Sequence, residues 1–268
     1  MPTSVARTFA EERRAAIMNM LERSASIQVA DIARTFDVSS VTARGDLDAL
    51  AAAGKLRRTH GGAVSLHKTL TVSVQDQRVN VNVEAKQAIA REAVKLVRNG
   101  DTILVDSGTT ALEFVRMLDV RSGITVITFD ITIADFIDES LPTVNVIMLG
   151  GELRKGHRYL YGPLTLSALR TLHANMAVIC PGAFVARRGF MTDYPQMAEI
   201  KNAAIECADH AVALMDASKL AARGTYAFAK LSDVDTLVVD QDETGALADA
   251  LDALPDGATH PELIVAQR

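Results

Sequence analysis

Cysteine is scarce: the 268 residues hold two, Cys180 and Cys207, in neither a CxxC nor a metal-ligand spacing. Small or apolar neighbours flank both, so a buried, reduced pair is expected and not a disulfide. No two histidines have metal-ligand spacing either. Long hydrophobic runs are also missing. Largely apolar stretches such as Val144 to Leu149 fall far short of the roughly 20 apolar residues needed to cross a bilayer. The N-terminal MPTSVARTFAEERR has no apolar secretory core, and no membrane association and a cytoplasmic location are expected. Positive charge is lacking overall, with a formal net charge of -5. Taken alone, that value argues against a nucleic-acid partner.

What is present reverses that last inference. Residues 1–68 carry ten Lys and Arg against seven Asp and Glu, whereas the remaining 200 carry eighteen against twenty-six. The basic excess therefore sits at one end, where it can supply phosphate contacts while the acidic remainder suppresses indiscriminate sticking. A hydrophobic share of 49% is ample for real cores, and the length suggests two domains.

The basic end centres on DVSSVTARGDLDALAAAGKLRRTHGGA, from Asp37 to Ala63. Ile32, Phe36, Val38, Val41, Leu47 and Leu50 supply one apolar face for a small three-helix core. Ser39 stands where a helix N-cap is wanted, its hydroxyl able to accept from the N–H of Thr42, which predicts a helix from Ser40 that stops at Gly54. The first turn of that helix then presents Ser40, Thr42 and Arg44, residue types that contact phosphates and base edges in a major groove. Arg57, Arg58 and His60 follow in a short extended run that turns at Gly61-Gly62, which fits a two-stranded wing. With helices from Ala10 to Arg23 and from Val29 to Phe36, and a turn over Ser24 to Gln28, the whole reads as a winged helix-turn-helix over residues 1–63.

Alternating Val and polar residues over 64–83 read as a linker, which holds Arg78. From residue 84 to 268 the pattern is repeated β-α units, with strands at Thr102 to Val105, Ile124 to Thr128, Val144 to Leu149, Met176 to Ile179, Ala211 to Met215 and Thr236 to Val239. Such alternation implies a doubly wound, mostly parallel α/β domain. Ligands gather at the carboxyl ends of such strands. Asp106-Ser107-Gly108-Thr109-Thr110, Thr128-Phe129-Asp130, Leu149-Gly150-Gly151-Glu152, Pro181-Gly182 and Asp216-Ala217-Ser218-Lys219 all fall there, and are expected to converge on one pocket. The first of these places backbone N–H groups and hydroxyls at the positive end of a helix, an arrangement that suits an anion. A basic loop ending in His157 and Arg158 either leans over such a ligand or is a solvated surface loop. Glu199 and Lys201 are either pocket residues or an exposed pair.

VSSVTARGDL at Val38 to Leu47 and RRTHGGAV at Arg57 to Val64 resemble the N-terminal domain of DeoR-family transcriptional regulators. GDTILVDSGTT, VITFD, VIMLGGELR, ICPGAFVARRGFMTDY and LMDASKL resemble that family's C-terminal sensor domain, which is similar in fold to ribose-5-phosphate isomerase and the CoA-transferases. The likeness runs from about Arg13 to Asp240. It implies a DNA-binding regulator that represses a carbohydrate catabolism operon from a double-stranded operator. It also implies a homodimer or homotetramer released by a phosphorylated sugar or related small molecule, with no cofactor and no enzymatic activity. By the same resemblance Ser107, Gly108, Thr109 and Thr110 hold the phosphate, Lys219 places an ammonium near the ligand, and Gly150 and Gly151 line the pocket.

Three departures stand out: Gly45 replaces a second arginine in the reading helix, Phe129-Asp130 replaces asparagine-serine, and Ile179-Cys180-Pro181 stands where a more leucine- or phenylalanine-like run is common. An ionised Asp130 repels a phosphate and is expected to accept hydrogen bonds from sugar hydroxyls or an amine. The alternatives are a sugar-phosphate isomerase working through Asp106, Asp130, Glu152, Asp216 and Lys219, and an architectural DNA-binding protein with no effector.

Overall fold

In the computed structural model, which describes residues 5–24, 26–59, 61–65, 78–79 and 81–266, the chain separates after residue 71 into two units, each with its own core. The first begins with α1 (Val5–Ser24), β1 (Ser26–Gln28), α2 (Val29–Thr35) and α3 (Ser40–Ala52), and ends in the wing strands β2 (Leu56–Thr59) and β3 (Gly62–Ser65). Ile17, Leu21, Ile32 and Leu47 are fully buried at its centre. The 24–28 stretch, expected as a turn, instead supplies β1, which pairs antiparallel with β3 and makes the wing three-stranded. Gly62 permits this pairing, because a methyl group there would sit 2.0 Å from the Ile27 carbonyl oxygen.

The second unit opens with α4 (Val83–Ala93), β4 (Thr102–Val105), α5 (Thr109–Arg116), β5 (Thr125–Thr128), α6 (Ile131–Ser140) and β6 (Asn145–Met148). A hairpin of β7 (Glu152–Arg154) and β8 (Tyr159–Tyr161) follows, then α7 (Pro163–Leu169), β9 (Met176–Ile179), β10 (Ala183–Val185) and β11 (Gly189–Thr192). The chain closes with α8 (Pro195–Glu206), β12 (Ala211–Met215), β13 (Tyr226–Ala229), β14 (Thr236–Val239), α9 (Ala246–Asp252) and β15 (Glu262–Val265).

Seven strands form one sheet in the order β15-β14-β12-β9-β4-β5-β6, and every neighbouring pair is parallel. Burial on both faces explains the unbroken apolar runs of its central strands. Leu104, Ile127, Ala177, Ile179, Ala213 and Leu237 face one core, with Met197, Ile200 and Ala204 of α8. Ile103, Val105, Val126, Val178, Val212 and Val238 face the other, with Ile89 of α4 and Phe114 of α5. From β4 the chain winds one way to β5 and β6, and from β9 the other way to β12, β14 and β15. The order therefore reverses between β4 and β9, where a crevice opens at the strands' carboxyl ends. A smaller antiparallel sheet, β10-β11-β13, adjoins this end. Among the described residues no helix is long and apolar enough to cross a membrane.

Candidate functional site

On the first unit, α3 starts as its sequence dictates. Ser39 is extended and its hydroxyl accepts from the Thr42 N–H at 3.1 Å, with the two side-chain oxygens 2.9 Å apart. Ser39, Ser40, Thr42, Arg44 and Gly45 are exposed along one face of the helix. Val41, expected in the core, is 75% exposed and joins that face. Asp46 takes the inward position instead, 2% exposed, and binds Arg13 Nε at 2.5 Å and Arg14 Nε at 2.9 Å. Two of the unit's arginines are thus spent on holding α1 to α3. Arg58 is likewise engaged, pairing with Asp48 at 2.7 Å and donating to the Gly62 carbonyl at 2.8 Å, which ties the wing to α3. Arg57 is exposed, and His60 lies outside the described residues. The free cations of the face are therefore Arg44 and Arg57 among the described residues named for it.

On the second unit, a cavity of about 350 Å³ occupies the crevice where the strand order reverses. Ser107, Gly108, Thr109 and Thr110 form its floor. Gly108 has φ +132°, a backbone that a side chain would strain. It turns β4 into α5 so that the N–H groups of Thr109 and Thr110 begin the helix without intrahelical acceptors. Cys180, Pro181 and Gly182 reach the cavity from the end of β9, and Asp216, Ser218 and Lys219 from the end of β12.

Beneath the floor, Asp106 is fully buried and bonded to everything around it. It forms an ion pair with Lys201 of α8 and accepts from Cys180 N at 2.8 Å and from Ser107 N at 2.7 Å. Lys201 also donates to the Cys180 carbonyl at 2.9 Å. Lys201 lines the cavity, so it is a pocket residue and not half of an exposed pair. The signal was a lysine on the stripe Met197-Ile200-Ala204, where only a paired charge can be buried.

The opposite wall is aromatic and cationic. Arg154 lies 3.9 Å over the Tyr194 ring and 5.6 Å from the Tyr159 ring centre, and hydrogen-bonds the Tyr159 hydroxyl. Stacking of this kind fixes a guanidinium whose other edges remain available to an anion. Burial pushes the Tyr159 phenol up to about 12. Burial, and then Arg154 and Arg78, hold His157 below the usual imidazole range, so it is neutral at pH 7. His157 lines the cavity as the basic loop suggested. Arg158 turns away at φ +58° and donates to Thr132 Oγ1 at 2.9 Å.

Three of the five strand ends meet at the cavity, and two do not. The β7-β8 hairpin covers the end of β5: Leu160 N donates to Phe129 O at 2.8 Å and Ile131 N to Arg158 O at 2.9 Å. Asp130 is consequently 0% exposed and does not line the cavity. Its carboxylate caps α6 through Thr132 N at 2.7 Å and Ile133 N at 3.3 Å, and accepts from Gly108 N at 3.3 Å. It supports the floor from below through Gly108. Gly150 and Gly151 are also absent from the lining. Gly150 O accepts from Thr165 Oγ1 at 2.7 Å, and a methyl on Gly151 would strike Tyr161 O at 2.5 Å, so this pair packs the hairpin against α7.

A helix-turn-helix reader with a three-stranded wing, joined to an α/β unit with a cation-lined cavity, defines a DNA-binding transcriptional regulator. Comparison with known proteins gives the family. Residues 13–69 match the DeoR-like helix-turn-helix domain and residues 81–241 the DeoR C-terminal sensor domain. The chain is 32% identical over 240 residues to the HTH-type transcriptional regulator GolR of Listeria innocua, covering 89% of this chain and 94% of that one. It is 31% identical over 244 residues to the HTH-type transcriptional repressor GlcR of Bacillus subtilis, covering 91% and 93%. Among solved structures, ribose 5-phosphate isomerase A of Methanocaldococcus jannaschii aligns with a TM-score of 0.39 and 19% identity over 52% of this chain and 55% of that one. The chain belongs to the DeoR family of transcriptional regulators.

Proposed function

We propose that the protein is a homo-oligomeric repressor of carbohydrate genes that leaves its operator when a phosphorylated small molecule fills the cavity beside Ser107–Thr110. On this reading, Ser40, Thr42 and Arg44 of α3 and Arg57 of the wing contact DNA, with Ser39 capping α3 and Arg58 fixing the wing. Reading helices of two copies would enter major grooves about 34 Å apart. The observation that carries the effector assignment is the first turn of α5. Its free N–H groups on Thr109 and Thr110 open into a cavity whose wall holds Arg154, Lys201 and Lys219, a setting in which a phosphate is stabilised by dipole and charge together. A volume near 350 Å³ accommodates a small metabolite.

A sensor fits better than an isomerase because the carboxylates that acid-base chemistry needs are already occupied. Asp106 is committed to Lys201 and two N–H groups, and Asp216 accepts from Ser218 N at 3.0 Å and Asn82 Nδ2 at 3.2 Å. Glu152 accepts from the Tyr161 hydroxyl at 2.7 Å. A thermal-shift panel of phosphorylated and free sugars, polyols and amino sugars tests the reading, since a ligand of the native state raises Tm. Stabilisation by phosphorylated compounds alone, abolished in Thr109→Asp, is the expected result. Stabilisation only by unphosphorylated compounds, or turnover of a sugar phosphate, would overturn it.

A further inference from the structure

Lys86 of α4 is buried, 4% exposed among Ala85, Ala88 and Ile89, yet forms no ion pair among the described residues. Its ammonium is spent on main-chain oxygens, those of Arg78 at 2.7 Å and Val81 at 2.5 Å. Burying a charge for two carbonyls of a short segment is costly unless the position of that segment matters.

The next residue along the segment tells the same story. Asn82 precedes α4, where an asparagine ordinarily caps its helix. It makes no such bond, adopts a left-handed backbone at φ +53°, and sends its amide to Asp216 Oδ1 at 3.2 Å. A left-handed non-glycine residue is held there only by its surroundings. Asp216 in turn caps the turn that carries Lys219. The segment is therefore pinned at two points, and Arg78, Val81 and Asn82 all line the cavity. In the sequence this segment is also where the chain arrives from the DNA-binding unit.

We propose that Arg78, Val81 and Asn82 form a latched wall through which the cavity's occupancy is passed to the chain leading to the DNA-binding unit. Arg78 supplies an effector contact, and Lys86 and Asn82 are the positioning residues that hold it. An anion on the floor draws the Arg78 guanidinium inward, tightens the wall, and changes how the chain leaves the sensor unit. A ligand can shift an equilibrium only through a contact that differs between the two states, and Arg78 is that contact. The inference rests on the anion reading of the cavity.

Amide hydrogen exchange on the full-length chain tests it, with inorganic phosphate as the probe. Without phosphate, Lys86→Met and Asn82→Gly are expected to speed exchange across residues 78–86 by about ten-fold while the strands at 102–105 and 176–179 keep their protection. Glycine tolerates the left-handed backbone, so Asn82→Gly removes the amide without adding strain, and agreement with Lys86→Met separates the lost amide from glycine's added backbone freedom. Exchange within about two-fold of wild type in both variants overturns the latch. With phosphate, wild type should slow across both 107–112 and 78–86, and Arg78→Gln should slow only across 107–112. Lys86 also lines the cavity, so in Lys86→Met phosphate should bind several-fold more weakly, as in Arg78→Gln, and the response at 78–86 should disappear while that at 107–112 remains, a split that a merely structural lysine would not produce. Slowing confined to 107–112 in wild type overturns the wall and leaves the anion site standing. Slowing in neither region removes the anion reading and Arg78's role together.

Discussion

Lys201 reaches from α8 to Asp106 at the point where the strand order reverses, and the two side chains are 5% and 0% exposed. Through that carboxylate the end of β4, the end of β9 and α8 are tied to one another, since Asp106 also holds the N–H groups of Ser107 and Cys180. The floor of the cavity inherits its position from this buried pair. Asp46 plays the corresponding part in the DNA-binding unit, where one buried carboxylate fastens Arg13 and Arg14 of α1 to α3. In each unit a buried carboxylate thus fastens a helix to the element that carries the candidate site.

Lys201→Met should destabilise the sensor unit by about 3–5 kcal/mol, because it leaves Asp106 charged and buried without its cation. Asp106→Asn combined with Lys201→Met should recover most of that loss, as neither charge then remains inside. Urea unfolding of the three proteins measures both effects. Equal stability of the single and double variants would show that the pair contributes nothing beyond packing.

The strands at Thr102–Val105, Met176–Ile179, Ala211–Met215 and Thr236–Val239 were legible to the residue in the sequence, because β-branched and apolar runs buried on both faces have no other use. The hairpin of β7 and β8 was not, since three-residue strands around a charged loop carry no period. Its absence from the sequence reading is why Asp130, Gly150 and Gly151 were assigned to a cavity that the hairpin screens them from. Val41 was misplaced for a geometric reason. At about 100° per residue it stands roughly half a turn from Leu50, on the opposite face of α3. Lys201 and Asp46 shared an overlooked signal, a charge set on an apolar helical stripe, which marks a buried pair whose partner lies far away in the chain.

Cys180 should resist alkylation although it lines the cavity. Cys180 is half-buried, whereas Cys207 is buried as expected; desolvation of the Cys180 thiol, with Asp106 adding to it, pushes it up to about 12, so at pH 8 its thiolate is far scarcer than that of a free cysteine. Iodoacetamide labelling followed by mass spectrometry should be more than about a hundred-fold slower in the native protein than in urea. The same shift has a sign for stability. A folded pKa above the unfolded one stabilises fully below about pH 8.5 and is lost as pH rises towards 12. Rapid native labelling at pH 8 would contradict the buried environment.

Val41→Ser separates the core from the reading face. A core valine would cost at least about 1 kcal/mol, whereas a residue 75% exposed should leave stability within about 0.5 kcal/mol. Its effect should appear in binding instead, as a changed preference at a thymine whose methyl group the valine can touch. Selection of operators from random DNA by each protein would reveal it. A lower Tm with unchanged sequence preference would return Val41 to the core.

Gly45 stands on the exposed face of α3 with nothing within 4 Å of where a side chain would begin. Gly45→Arg therefore meets no steric obstacle, and gains roughly 1 kcal/mol of helix propensity. It also adds a cation one position beyond Arg44, and a new phosphate contact should steepen the dependence of log K on log salt by about 0.9. Arg44→Ala should do the reverse, weakening operator binding by about 1–3 kcal/mol while leaving the fold intact, because Arg44 has no ion pair among the described residues. Fluorescence anisotropy across a salt series measures both variants. A steeper slope with little change in the ranking of operators would place residue 45 over the phosphate backbone. A changed ranking would place it over base edges. An unchanged slope and affinity would mean that this side of α3 faces away from DNA, and the reading face would then have to be centred on Ser40 and Val41.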